Sequence, residues 1–273
     1  MLMNRAYLMP LPAFQSQNSM WSAGFIGPAV RITGMRKARR SNSFWYPTTS
    51  LLGEDGSMDG TRDVAERYAA PYPDRIRLFL HDRSHTVRID GRPTGRSSFL
   101  NNLRHARGRY LCHIDGDDHW TDPDRLRTIV ELMDKEPDLG LAFHNAWNTW
   151  PDGTRSPYLP AERTKPRFTR VELMADNFIP TSGVVSRWNA LQEFAEAFFT
   201  GPFGDWVLNI HFAGSGPTGY ADRIMSIRNV HGTSSMAAMD NVRTKRGIGD
   251  RSDRILCQRP WPVWRSRSPM GST

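Results

Sequence analysis

The chain has 273 residues, enough for one large or two small domains, although only 38% of them are hydrophobic. Its formal net charge is +8, but the first 50 residues carry six bases and no acid and the last 38 carry eight bases and three acids, which leaves 22 bases against 25 acids between. A slightly acidic middle argues against a nucleic-acid partner there, two cysteines are too few for a disulfide framework, and no apolar run reaches the length of a membrane span.

Residues 1–47 show neither alternation nor a helical stripe, so no element is placed in this basic, aperiodic segment. From residue 48 the pattern becomes regular. A strand is expected over 49–52, a polar turn over 53–60, and a helix over 61–69 with Val64, Ala65 and Tyr68 on one face, stopped by Pro71 and Pro73. Residues 76–80 read as a second strand and 81–96 as a long polar loop. Phe99, Leu103 and Ala106 recur at helical spacing and end near Gly108.

The next strand organises the rest. Tyr110, Leu111, Cys112 and Ile114 suit a buried strand, whereas Asp115, Asp117 and Asp118 are residues that a sheet interior rejects. The acids are therefore expected where the strand leaves the sheet, which is where open α/β sheets bind ligands. Three acids within four residues raise one another's pKa unless a cation intervenes, and hard oxygen ligands favour Mg²⁺ or Mn²⁺, which in turn bridge to phosphates. An EF-hand register starting at Asp115 fails, since it puts Trp120 at the glycine position and Leu126 at the bidentate glutamate. The bland alternative is a solvated turn before a helix, for which Asp122-Pro123-Asp124 has the right chemistry.

Leu126, Ile129, Val130 and Met133 then mark an amphipathic helix, and 139–147 a further apolar strand. After a proline-rich loop over 151–166 come a helix at 171–176, an extended run at 179–186, a helix at 189–199, a helix at 205–213 with Asp205 at its start, and a last strand over 220–230. Periodicity is lost again from residue 236, so 236–273 is expected to be a basic tail. Strand and helix alternate in the rhythm of right-handed crossovers, which predicts an α/β fold with a mainly parallel central sheet flanked by helices. Gly214 to Gly219 fits G-x-G-x-x-G, but it follows a helix and precedes a strand, the reverse of a dinucleotide site, and no P-loop occurs.

Several stretches in order, namely 53–57 with 59–61, 106–110, 115–123, 143–145, 180–182, 204–206 and Arg228 with Val230-His231, resemble the family 2 glycosyltransferases, which use nucleotide sugars and have the GT-A fold. The resemblance covers about residues 50–235, in a domain expected over 48–235. It implies a nucleotide half over 48–120 and an acceptor half over 121–235. It further implies that Asp55 reads the nucleobase, that Glu54 beside it also binds the nucleotide, that Asp59 shapes the same loop, and that Asp115 grips the ribose. Asp117 and Asp118, with His231, would hold Mn²⁺ or Mg²⁺ on the diphosphate. Asp205 would be the general base that activates the hydroxyl of a saccharide or other acceptor, with inversion. The resemblance also suggests a cytoplasmic enzyme of cell-envelope polysaccharide synthesis, in peripheral contact with the inner face of the membrane.

Two departures stand out. Met58 replaces a small hydroxyl residue, and the strand-turn-helix unit that opens the family has no recognisable counterpart in residues 1–50. The same acids would also serve a Mg²⁺-dependent nucleotidyltransferase or phosphohydrolase, and the basic ends would serve a non-catalytic anion binder.

Overall fold

The computed structural model describes residues 49–58, 60–89, 92–93, 95–188 and 204–230. The predicted helix over 189–199, the N-terminal segment, the C-terminal tail, Asp59 and His231 lie outside the described residues.

The described residues begin with a βαβ unit. Strand β1 (Ser50–Glu54) lies parallel to β2 (Ile76–Leu80), with Ser50 opposite Ile76 and Glu54 opposite Leu80. Helix α1 (Thr61–Ala69) crosses between them. It starts at Gly60, whose φ of 83° is the left-handed conformation that glycine adopts without a Cβ penalty. Burial of Ala65 against Leu52, with Ile76 and Leu78 alongside, seals the unit. The loop expected over 81–96 contains a tight turn at Arg83–His85 and a short antiparallel pair, β3 (Arg88–Ile89) with β4 (Arg92–Pro93). Helix α2 (Arg96–His105) packs on β1: Asn102 donates to the Leu51 carbonyl at 3.3 Å, and a Cβ on Gly53 would come within 2.6 Å of Ser98 Cβ.

The remaining strands are β5 (Tyr110–Cys112), β6 (His119–Trp120), β7 (Leu141–Thr149), β8 (Arg155–Pro157), β9 (Arg167–Phe168), β10 (Val184–Arg187) and β11 (Thr218–Asn229). They form one sheet in the order β5-β10-β7-β11-β6, with β8 added to β7 and β9 to β11. The α/β class is as expected, but the sheet is mixed rather than mainly parallel. Only β7 with β11 is parallel in it, and β10 runs antiparallel to both of its neighbours. Apolar runs report which faces are buried, not the direction of the ladder. β8, β9 and β10 all run against the parallel pair β7 and β11.

Helices α3 (Arg125–Lys135), α4 (Arg170–Ala175) and α5 (Gly204–Phe212) complete the architecture. On one face Ile129, Val130 and Met133 of α3 are wholly buried against Tyr110, Cys112, Ala142, Val185 and Met225. An aromatic group, Phe143, Phe168, Phe178 and Tyr220, has ring centroids 4.5–6.4 Å apart. Each large buried side chain contributes roughly 1.5–3 kcal/mol, so this double packing dominates stability. Helix α4 carries the capping box Thr169–Glu172. No helix among the described residues is long and apolar enough to cross a membrane.

Candidate functional site

The acids emerge where β5 ends. Beyond Cys112, His113 and Ile114 stay buried, and then Asp115, Asp117 and Asp118 become partly accessible as the chain turns towards β6. The turn is tied by the Asp118 amide to the Asp115 carbonyl at 3.1 Å. Strand β6, not expected from the sequence, pairs His119 and Trp120 with Ile227 and Ser226 of β11. That pairing brings Asn229 onto the acid loop. Its backbone amide donates to Asp118 Oδ1 at 3.0 Å and its side-chain amide to the Asp117 carbonyl.

The loop is anchored from behind. Trp120 Nε1 donates to the Ser182 carbonyl at 2.7 Å, and Ser182 and Ser226 share a hydroxyl hydrogen bond at 2.9 Å. Arg125, fully buried at the start of α3, stacks its guanidinium 4.1 Å from the Trp120 ring centroid and donates from Nε to His144 Nε2 at 2.7 Å. Thus an arginine with no carboxylate partner in these contacts fixes the floor of an acidic loop by ring stacking and a neutral imidazole.

The electrostatics follow from crowding. Burial, then the Asp117 and Asp205 carboxylates, push Asp115 up to about 7, against the pull of Arg228. Burial, then Asp115 and Asp117, push Asp118 well above the carboxylate range, opposed by the Asn229 amide and Arg228. Arg228 itself is placed by Asn148 Oδ1 at 3.3 Å and by the Tyr158 ring at 5.8 Å. Burial and the nearby Asp205 raise the Tyr158 phenol to about 12.

Asp205 stands in the first turn of α5, one residue inside the helix, where Thr181 Oγ1 donates to Oδ2 at 3.2 Å. Its charge reaches Asp115, His113, Arg96 and Tyr158, so β5, α2, the loop after β8 and α5 converge on one place. The nucleotide-loop residues divide. Ser98 of α2 donates to Asp55 Oδ1, and burial raises Asp55 despite that bond and nearby His81. Glu54, expected to help shape a nucleotide contact, is instead occupied within the fold. Its Oε2 takes Arg62 Nε at 2.7 Å and its Oε1 the Ser57 amide at 2.5 Å, while Arg62 reaches on to the His81 carbonyl at 2.6 Å. Where Asp59 and His231 stand is outside the described residues.

Among the described residues no three His, Cys, Asp or Glu side chains are gathered to hold a metal by themselves. Crowded carboxylates with raised affinity for protons suit a cation that takes its remaining ligands from a substrate, as Mg²⁺ does with one or two carboxylates plus phosphate oxygens. Sequence reasoning passed over Arg96, Ser98, His113, Tyr158 and Asn229. His113 alone left a signal, a polar residue inside an apolar strand run; the others are brought in by tertiary contacts.

A family model described as glycosyl transferase family 2 matches residues 37–186, more than half of the chain. The uncharacterized protein Rv1520 of Mycobacterium tuberculosis is 29% identical over 197 residues, 71% of this chain and 54% of that protein. The putative glycosyltransferase EpsE of Bacillus subtilis is 36% identical over 86 residues, 31% of this chain and 27% of its own. A crystal structure of S. aureus TarS superposes with a TM-score of 0.45 at 14% identity, covering 66% of this chain and 50% of that one. The chain spans about half the length of the mycobacterial relative. The family match encloses the Asp55 loop, the acid loop and Thr181 beside Asp205, and the chain belongs to glycosyl transferase family 2.

Proposed function

We propose that the chain transfers a sugar from a nucleoside diphosphate sugar to a hydroxyl of a saccharide or similar acceptor, with inversion at the anomeric carbon. The observation that carries this reading is that Asp205, steadied by Thr181, lies within electrostatic reach of Asp115 in the crowded group Asp115, Asp117 and Asp118. The nucleobase would lie along the Asp55 loop, with Asp59 in the same loop, and the ribose against Asp115. Asp117 and Asp118, joined by His231, would hold Mn²⁺ or Mg²⁺. The ion supplies charge neutralisation for the departing diphosphate.

Asp205 accepts the proton of the acceptor hydroxyl as that oxygen bonds to the anomeric carbon from the face opposite the diphosphate. The bond from the anomeric carbon to the diphosphate oxygen breaks, its electron pair leaves with the nucleotide, and no acid is required on the leaving side. Thr181 fixes the carboxylate orientation, while Arg228 adds a positive charge beside the acid loop.

Calorimetric titration with UDP, GDP and dTDP, each with and without Mn²⁺, tests the donor site. One nucleotide is expected to bind only with the metal, and Asp117→Ala to abolish that binding. Asp205→Asn should keep the binding and lose about 10²–10⁴-fold in turnover. Nucleotide turnover without any acceptor product would favour a nucleotidyltransferase or phosphohydrolase, and metal-independent, salt-sensitive binding would favour an anion binder.

A further inference from the structure

Asn229 is the last residue of β11, a strand paired with β7 from Thr218 beside Leu141 to Asn229 beside Thr149. Just beyond it the Val230 amide donates to the Thr149 carbonyl at 2.9 Å, so this end of the strand is fixed on both sides of Asn229. The acid loop is brought to it by β6: His119 and Trp120 pair with Ile227 and Ser226, and the Thr121 amide donates to the Met225 carbonyl at 3.0 Å. Asn229 then makes two contacts inside the loop. Its backbone amide donates to Asp118 Oδ1 at 3.0 Å, and its side-chain amide donates to the Asp117 carbonyl. With Oδ1 held by the strand, Oδ2 is the Asp118 oxygen left for a ligand. The carboxylates of this loop crowd one another, which drives it apart unless something outside holds it. A lysine at this place would hold the loop by cancelling its charge. A neutral amide holds it through the Asp117 backbone and leaves that charge to a cation.

We propose that Asn229 is a positioning residue for the divalent cation: its two donors fix the acid loop so that Asp117 and Asp118 are already set to take the ion. The inference rests on the donor-site reading above. In this role Asn229 acts through Asp117 and Asp118 and touches no part of the nucleotide. Hydrogen-bond partners that orient ligating carboxylates typically change metal affinity about 10–100-fold when removed. The side chain supplies one of the two donors here and the backbone the other, so its removal belongs at the lower end of that range.

The test titrates wild type, Asn229→Leu and Asn229→Gln with whichever of UDP, GDP and dTDP binds, at Mn²⁺ concentrations from limiting to saturating. Leucine keeps the branched shape without the donor, glutamine keeps the donor on a longer arm, and the backbone amide stays in both. The Mn²⁺ concentration for half-maximal nucleotide binding should rise about tenfold in Asn229→Leu and by less than about threefold in Asn229→Gln. At saturating Mn²⁺ the nucleotide affinity of both variants should stay within about twofold of wild type, which a merely structural loss would not allow. The proposal is overturned if the Mn²⁺ requirement of Asn229→Leu matches wild type, or if that requirement and the affinity at saturating Mn²⁺ weaken together. It is likewise overturned if Asn229→Gln does no better than Asn229→Leu, or if wild type binds the nucleotide equally well without Mn²⁺. Failure of wild type to bind any nucleotide would instead remove the donor site itself, and this inference with it.

Discussion

His144 makes the stability of this protein acid-sensitive through a chain of contacts that can be worked out. It is wholly buried on β7, and its Nε2 accepts from Arg125 Nε at 2.7 Å, so its proton sits on Nδ1 and donates to the Asn145 carbonyl at 2.7 Å. Burial first, then the positive charges of Arg125 and Arg223, lower its pKa from 6.5 to about 3, against the pull of the Asn145 carbonyl. The unfolded chain takes up this proton as pH falls through 6.5 and the folded chain does not until about 3. Stability from the neutral ring is therefore complete above the unfolded value and is lost progressively as pH drops towards the folded one. From the two values, the loss between about pH 7.5 and about pH 4 is about 3 kcal/mol.

Urea unfolding of wild type and His144→Gln across that range separates this group from every other titrating residue. Gln offers Arg125 an oxygen but cannot titrate, so its stability curve should be flatter than wild type by about that amount. Parallel curves for the two proteins would refute the reasoning, since the imidazole would then titrate alike in both states.

Glu54→Gln should lower stability by about 1–3 kcal/mol, because it weakens the buried bonds to Arg62 and the Ser57 amide, while nucleotide affinity stays within about twofold. A tenfold loss of nucleotide binding with unchanged stability would restore Glu54 to the site. Gly140→Ala should destabilise by about 1–3 kcal/mol in denaturant titration, since a Cβ there would sit 2.3 Å from the Phe212 carbonyl oxygen, backbone that cannot swing away. An unchanged midpoint would show that the approach of α5 to β7 relaxes freely.

The amino-acid sequence by itself determined the βαβ unit from residue 49, the helices over 61–69 and 205–213 and the one bearing Leu126 to Met133, and the position of the acids at the end of a buried strand. These depend on local spacing of apolar residues and on the refusal of carboxylates to enter a sheet, both legible along the chain. Asp115, Asp117 and Asp118 stand out in the same way, whereas Asp205 is singled out by the family resemblance, and the structure sets it within electrostatic reach of Asp115.

Only the tertiary structure decided the direction of β10, because burial patterns are the same for parallel and antiparallel neighbours. It alone put Glu54 to work with Arg62 eight residues away, and placed Asn229 on the acid loop across 111 residues of sequence. It also left His113 Nε2, in the buried run that leads to the acids, without a hydrogen-bond partner among the described residues. Hydrogen-bond partnership between residues far apart has no period and no spacing; it is settled when the sheet closes and each buried polar atom either finds a partner or does not.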